Sequence, residues 1–390
     1  MHVHYWAVGQ TSPAPLSLPI NFISGYLAED WLPSIVPPPG STFMGWPASL
    51  IQPVAVGGTP YWSLDAVLGR TERQWKGVIS WMLGVAGARH LLAQEGYRWI
   101  APVSAFYPGG GEVDTAHWHP RFPPGAVVVT GPNQGTNLRP DYVAIRPRRV
   151  TGVRTWAAAE AKGTGEALDS ALKNACPAAW YRQVRNIAVT LHGQPLNVPR
   201  HIVAATRVNP NAKRPQTRCL QLRGWNADAP TAEPPPQLAV EVAAGHMFGV
   251  CLNLGLWMNA RAIALGVAMR GAGAAAPDDA GRRLDEVLTI GRRADAELVE
   301  ETGATLEGDA AGAGGLRILR SGLGVLEVEI TQATMSLIRA LRSPDPDEAA
   351  AALDDADEVL DELHPGLPED AGVLLPSGLR VRYVPSERRR

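Results

Sequence analysis

The chain predicts an α/β fold, a mixed sheet flanked by helices, on three observations. Two short apolar runs, Tyr142-Val143-Ala144-Ile145 and Trp156-Ala157-Ala158-Ala159, flank a segment rich in arginine that contains Gly152. A run with helical spacing precedes them, from Trp75 through Val78, Ile79, Met82 and Val85 to Leu92. A third run of β-branched and small apolar residues, 201–208, follows them. Alternation of short strand-like runs with longer helical ones is the pattern of a sheet covered by helices.

Taken in order, residues 1–66 are rich in Pro, Gly and aromatics, with Pro37-Pro38-Pro39-Gly40 and Trp31, Trp46 and Trp62. They predict an irregular arm or a small β-rich layer packed on the core. Residues 67–226 form the α/β core. Thr71-Glu72-Arg73-Gln74 has the form of a capping box and opens the first long helix. Residues 97–103 read as the first strand and 139–145 as the second. The segment from Arg146 to Thr155 holds four arginines and turns a hairpin into the third strand, which ends Glu160-Ala161-Lys162. Residues 165–175 and 177–189 read as helical, divided at Cys176-Pro177, because Pro is tolerated in a first helical turn. Residues 201–208 and 219–223 read as further strands.

Residues 227–272 combine a Pro-rich crossover (226–237) with an apolar helical region. Residues 273–390 form an accessory module, α+β or mostly helical. It has helical patterns at 282–302 and 347–363, a hairpin through 321–324, and a second strand pair around Pro376-Ser377-Gly378.

The composition narrows the classes. Three cysteines far apart, Cys176, Cys219 and Cys251, point to a reducing cytoplasm and argue against a sulfur-ligated metal. No signal peptide is expected from the first residues. The longest apolar stretch carries Asn253, Asn259 and Arg261, so a buried helix is expected there and no membrane span. A net charge of −2 hides strong asymmetry. Residues 139–227 carry 15 Lys and Arg against 4 Asp and Glu, whereas residues 228–390 carry 15 against 27. The basic middle favours a polyanionic partner, nucleic acid above all. The acidic last third could dock on it and mask it.

The chemistry lies in the middle strands. Strand side chains alternate, so Glu160 and Lys162 share one face. A returning neighbour strand brings Asp141 within several Å of Glu160, close enough for both carboxylates to hold one hard divalent cation. Such a cation activates water and neutralises charge on a phosphorane, while a lysine beside it orients the water or stabilises the transition state. Pro140-Asp141 with Glu160-Ala161-Lys162 resembles the motif of the PD-(D/E)xK nuclease superfamily. The resemblance covers residues 70–225 and implies a restriction-endonuclease-like fold.

It further implies a Mg²⁺-dependent (or Mn²⁺-dependent) nuclease hydrolysing phosphodiester bonds, with DNA favoured over RNA. Asp141, Glu160 and the Ala161 carbonyl become metal ligands, and Lys162 acts on water or transition state. Glu72 is a candidate further acid, and the competing reading is a carboxylate favoured by a helix N-terminus. Arg139, Arg146, Arg148, Arg149, Arg154 and Arg185 are the candidate contacts to the nucleic-acid backbone. Tyr181 and Gln183 are weighed as substrate contacts against an ordinary helix surface. A role in bacterial restriction or phage defence follows by analogy of fold alone. The alternative is a catalytically inactive nuclease-fold scaffold or nucleic-acid-binding subunit of a larger complex. The C-terminal module is where a second copy or a partner protein would attach. His117-x-His119 with Asp114 is a weaker metal candidate, because no further ligands follow at zinc spacing.

Overall fold

The protein is described from a computed structural model. It describes residues 2–6, 14–17, 20–30, 55–56, 63–64, 73–106, 122–123, 125–130, 140–148, 152–164, 176, 178–185, 187–207, 221–228, 233–271, 277–302, 313–321, 324–363 and 372–385. The class is mixed α/β, as expected.

A seven-stranded sheet forms the centre. Its strands are β1 (His2–Trp6), β2 (Ala14–Ser17), β5 (Trp99–Pro102), β7 (Tyr142–Arg146), β8 (Thr155–Thr164), β11 (Arg200–Arg207) and β12 (Gln221–Asp228). They lie in the order β2-β1-β12-β11-β8-β7-β5. β5, β7 and β8 are antiparallel in turn, and β11 runs parallel to β8. β1 adds to the sheet parallel to β12, so the start of the expected arm is part of the central sheet. Smaller sheets are β3 (Ala55–Val56) with β4 (Ser63–Leu64), and β6 (Val127–Thr130) with β9 (Ala188–Leu191) and β10 (Gln194–Leu196). The expected helix over 177–189 is shorter than its pattern, because β9 takes its last residues.

The helices are α1 (Ile20–Glu29), α2 (Arg73–Gln94), α3 (Ala178–Arg185), α4 (Pro236–Asn253), α5 (Trp257–Gly271) and α6 (Pro277–Thr302). α7 (Gln332–Ala340) and α8 (Pro346–Glu362) follow. α1 was not expected in the Pro-rich arm, yet it buries Ile23, Tyr26 and Leu27. α2 crosses β8 where both backbones lack side chains: a Cβ on Gly163 would sit 2.3 Å from the Ser80 carbonyl oxygen. The helix stops at Gly96, whose φ of +87° suits the left-handed position after a helix. α4 opens with Pro235 and Pro236 and is buried from Leu238 to Asn253 against β5 and β7. The long apolar stretch is thus two buried helices, α4 and α5, broken around Gly255. Among the described residues, no helix is long and apolar enough to cross a membrane.

The C-terminal strands β13 (Ala313–Ser321), β14 (Gly324–Thr331), β15 (Val373–Leu374) and β16 (Leu379–Pro385) pair in the order β13-β14-β16-β15, which includes both expected hairpins. Asp345 caps α8 by accepting from the Asp347 amide at 2.9 Å. One apolar core runs without a break from Ile23 through Ile79, Val143 and Met247 to Leu353 and Val381. The core therefore continues across residue 226.

Candidate active site

Register fixes the site. Tyr142 pairs with Ala159, which sets Asp141 opposite Glu160 at the start of β7. The Asp141 amide donates to the Ala159 carbonyl at 2.9 Å, and the Val103 amide donates to the Asp141 carbonyl at 2.8 Å. Its backbone is held from both sides. Its side chain reaches across the ladder, where Oδ2 accepts from the Ala161 amide at 2.7 Å.

Paired residues share a face, so Ala101, Val143, Ala158, Glu160 and Lys162 lie on the face covered by α4, opposite α2. Glu160 is only 1 % exposed. One of its oxygens is bonded to the Lys162 ammonium, and the other, Oε2, is buried without an N–H donor, so the Glu160 carboxyl can bond its Asp141 neighbour only when one of the two carries a proton. Asp141 keeps contact with solvent although protein surrounds it on most sides.

The electrostatics are those of a site short of positive charge. Burial pushes both carboxyls above the usual carboxylate range; for Glu160 the neighbouring Asp141 charge adds to the effect, and Lys162 only partly offsets it. For Asp141 the Ala161 amide and Lys162 pull the other way and do not win. Two crowded carboxyls with one oxygen orphaned either share a proton or take a cation. The donor set is all oxygen and hard, which fits Mg²⁺ or Mn²⁺. Asp141, Glu160 and the Ala161 carbonyl would hold it. Among the described residues, no cluster of three or more His, Cys, Asp or Glu side chains is placed to bind a metal, so waters and substrate oxygens would complete the shell.

The structure unites Asp141, Glu160, Ala161 and Lys162, as the sequence spacing implied. It separates them from most of the arginines. The hairpin turn lies at the opposite end of β7 and β8, five residues from Asp141 and hence roughly 15 Å away. Arg154 is buried there and bonds Asp354 at 2.6 Å and Asp357 at 3.0 Å. Arg148 bonds Glu233 at 2.7 Å and lies 3.7 Å from Asp354. Arg146 ends β7 at the same end of the sheet. Arg154 in particular corrects the expectation of a phosphate contact, because its charge is spent inside the protein.

Arg185 is exposed on α3, which packs on β8 and β11, and its guanidinium lies 4.3 Å from the centroid of the Tyr181 ring. Glu72, Arg139 and Arg149 lie outside the described residues, as do Asp114, His117 and His119.

Asp30, Arg89 and Tyr142 went unnoticed in the sequence. The Tyr142 hydroxyl donates to Asp30 Oδ2 at 2.7 Å, and Arg89 Nη2 donates to the Ile100 carbonyl at 3.2 Å, with Asp30 Oδ1 3.5 Å away. The Asp30 charge contributes to the upward shift at Asp141. An arginine inside an apolar helical run, Gly87-Ala88-Arg89-His90-Leu91, was the signal that could have drawn attention. No family model, curated protein or solved structure matches this chain.

Proposed function

We propose that the protein is a metal-dependent nuclease of the PD-(D/E)xK type, acting on phosphodiester bonds with DNA favoured over RNA. The observation that carries this reading is the paired carboxyls of Asp141 and Glu160 on adjacent strands, with Lys162 bonded to Glu160 and Glu160 Oε2 left without a donor. The order α2–β5–β7–β8–α3–β11, with the motif on an antiparallel pair and a helix packed on the sheet after it, supports the fold the motif implies.

A divalent cation in such a site neutralises developing phosphate charge and makes water nucleophilic near neutral pH. The chain supplies the rest. Asp141 is fixed by three hydrogen bonds to backbone groups, so its carboxyl is held beside Glu160 without rearrangement. Lys162, held by Glu160, presents its ammonium where the attacking water or the charged phosphorane would lie. A restriction or phage-defence role remains an analogy of fold.

A second reading has its own support. Two arginines of the basic hairpin expected to grip DNA, Arg148 and Arg154, are paired with Glu233, Asp354 and Asp357, which is what a nuclease-fold scaffold would also show. Incubation with plasmid, linear duplex, single-stranded DNA and RNA, each with Mg²⁺, Mn²⁺ or EDTA, separates the two. Metal-dependent cleavage lost in Asp141→Ala and Lys162→Ala establishes the nuclease. Metal-independent binding unchanged by both substitutions, with no cleavage, establishes the scaffold.

A further inference from the structure

The first half of α2 carries exposed aromatic and cationic side chains. Trp75 is 52 % exposed and Trp81 44 % exposed, the two most exposed aromatic side chains among the described residues. Their indoles lie on a helix whose 22 residues include no acid. Arg73 is exposed and Lys76 half-buried, and among the described residues neither is paired with a carboxylate. This contrasts with Arg98, Arg148 and Arg154, whose charges are met by α8 and Glu233.

Helical geometry sets these groups beside the active strand. Ser80 and Gly84 meet the backbone of Gly163, the residue after Lys162. Lys76 and Arg73 continue the same side of the helix at the i, i+3, i+7 spacing, about 6 and 10 Å along the axis from Ser80. Arg73, Gly77 and Trp81 form a second, outward row at i, i+4, i+8. Nothing lies within 4 Å of where a Cβ would stand on Gly77. The row therefore reads cation, open notch, indole, over about 12 Å of helix.

We infer that this half of α2 is a binding surface for a nucleic-acid strand with unpaired bases, leading past Gly163 at the end of β8 to the Asp141–Glu160–Lys162 site on the other face of the sheet. Arg73 and Lys76 contact phosphates, a base enters the notch at Gly77 and stacks on Trp81, and Trp75 provides a second stacking face at the helix end. The inference rests on the nuclease reading and adds a substrate class to it, single-stranded or frayed nucleic acid. The positive charge and the absence of acid on the helix favour a polyanion over a protein surface.

The test is fluorescence anisotropy of a short labelled oligothymidylate and of a blunt duplex in EDTA, where no cleavage intervenes. The variants are Trp75→Ala, Trp81→Ala and Gly77→Leu. Gly77→Leu fills the notch while replacing a poor helix former by a good one, so it cannot weaken binding by unfolding the helix. Each variant is expected to lose at least about fivefold in affinity for the single strand, with duplex affinity unchanged. Wild-type affinity for the single strand in Trp81→Ala and Gly77→Leu overturns the surface, while plasmid cleavage lost in Asp141→Ala would still uphold the nuclease. Loss of self-association in Trp81→Ala by sedimentation, with oligonucleotide binding intact, would assign the face to a second copy and likewise overturn the inference.

Discussion

Asp357 accepts hydrogen bonds from three groups of the central sheet: Arg98 Nη1 at 2.9 Å, Trp99 Nε1 at 2.9 Å and Arg154 Nη2 at 3.0 Å. One carboxylate of the acidic last third thus ties down the basic hairpin. The tie is at the end of the strands away from Asp141. Asp361 and Asp354 flank it, reaching Arg98 and Arg154.

Removing that carboxylate takes one of two acid partners from each of two buried guanidinium groups, Asp361 and Asp354 remaining, and leaves the Trp99 indole N–H without its acceptor. Asp357→Ala is expected to destabilise the protein by about 1–3 kcal/mol, the cost of leaving a buried donor unsatisfied. Urea denaturation measures this. A fragment ending at residue 226 loses α4 and α8 together with Asp357, and circular dichroism should show that it does not fold. A cooperatively folded fragment would show the sheet to be independent of the last third.

Gly163 has no room for a side chain. Gly163→Ala forces a methyl group against the Ser80 carbonyl, 2.3 Å away, and α2 must move off β8. A loss of about 1–3 kcal/mol is expected. Lys162 is the next residue, so metal-dependent cleavage should fall as well. Unchanged stability would show that the helix can shift freely.

Glu160 should behave as a residue kept for function. Glu160→Gln removes a buried carboxyl whose charged form is disfavoured by burial and by Asp141. At neutral pH the variant is expected to lie within about 1 kcal/mol of the parent, because the amide is a neutral isostere of a carboxyl whose charged form burial disfavours. Thermal melts in Mn²⁺ discriminate further: the parent rises in Tm and the variant does not. A Tm rise retained in Glu160→Gln would remove Glu160 from the ligand set.

Glu29 predicts a pH dependence. Burial raises its pKa from 4.5 to about 7, and Arg89 and the Ser377 hydroxyl only partly oppose this. The folded pKa is above the unfolded one, so the native state binds the extra proton. The stability this contributes is complete below about pH 4.5 and is lost as pH rises through about 7, at up to roughly 1.4 kcal/mol per pH unit within that window. Urea midpoints at several pH values, compared with Glu29→Gln, test it. An equally steep slope in the variant would assign the effect to other groups.

The sequence by itself determined the strands that carry the motif, because alternating apolar runs and the Pro140-Asp141 and Glu160-Ala161-Lys162 spacings are local properties of the chain. It also determined α2, both C-terminal hairpins and the juxtaposition of Asp141 with Glu160, which follows from a hairpin between neighbouring strands. Only the tertiary structure decided where the charges went. Arg148 and Arg154 were read as substrate contacts from proximity along the chain, but a hairpin turn is by construction at the far end of its strands from residues that precede and follow it. There the acids of α8, about 200 positions later, meet Arg154. Asp30, more than 100 positions before Tyr142, was equally illegible. Ion pairs of this kind are set by how helices pack across a sheet, and no local periodicity records that packing.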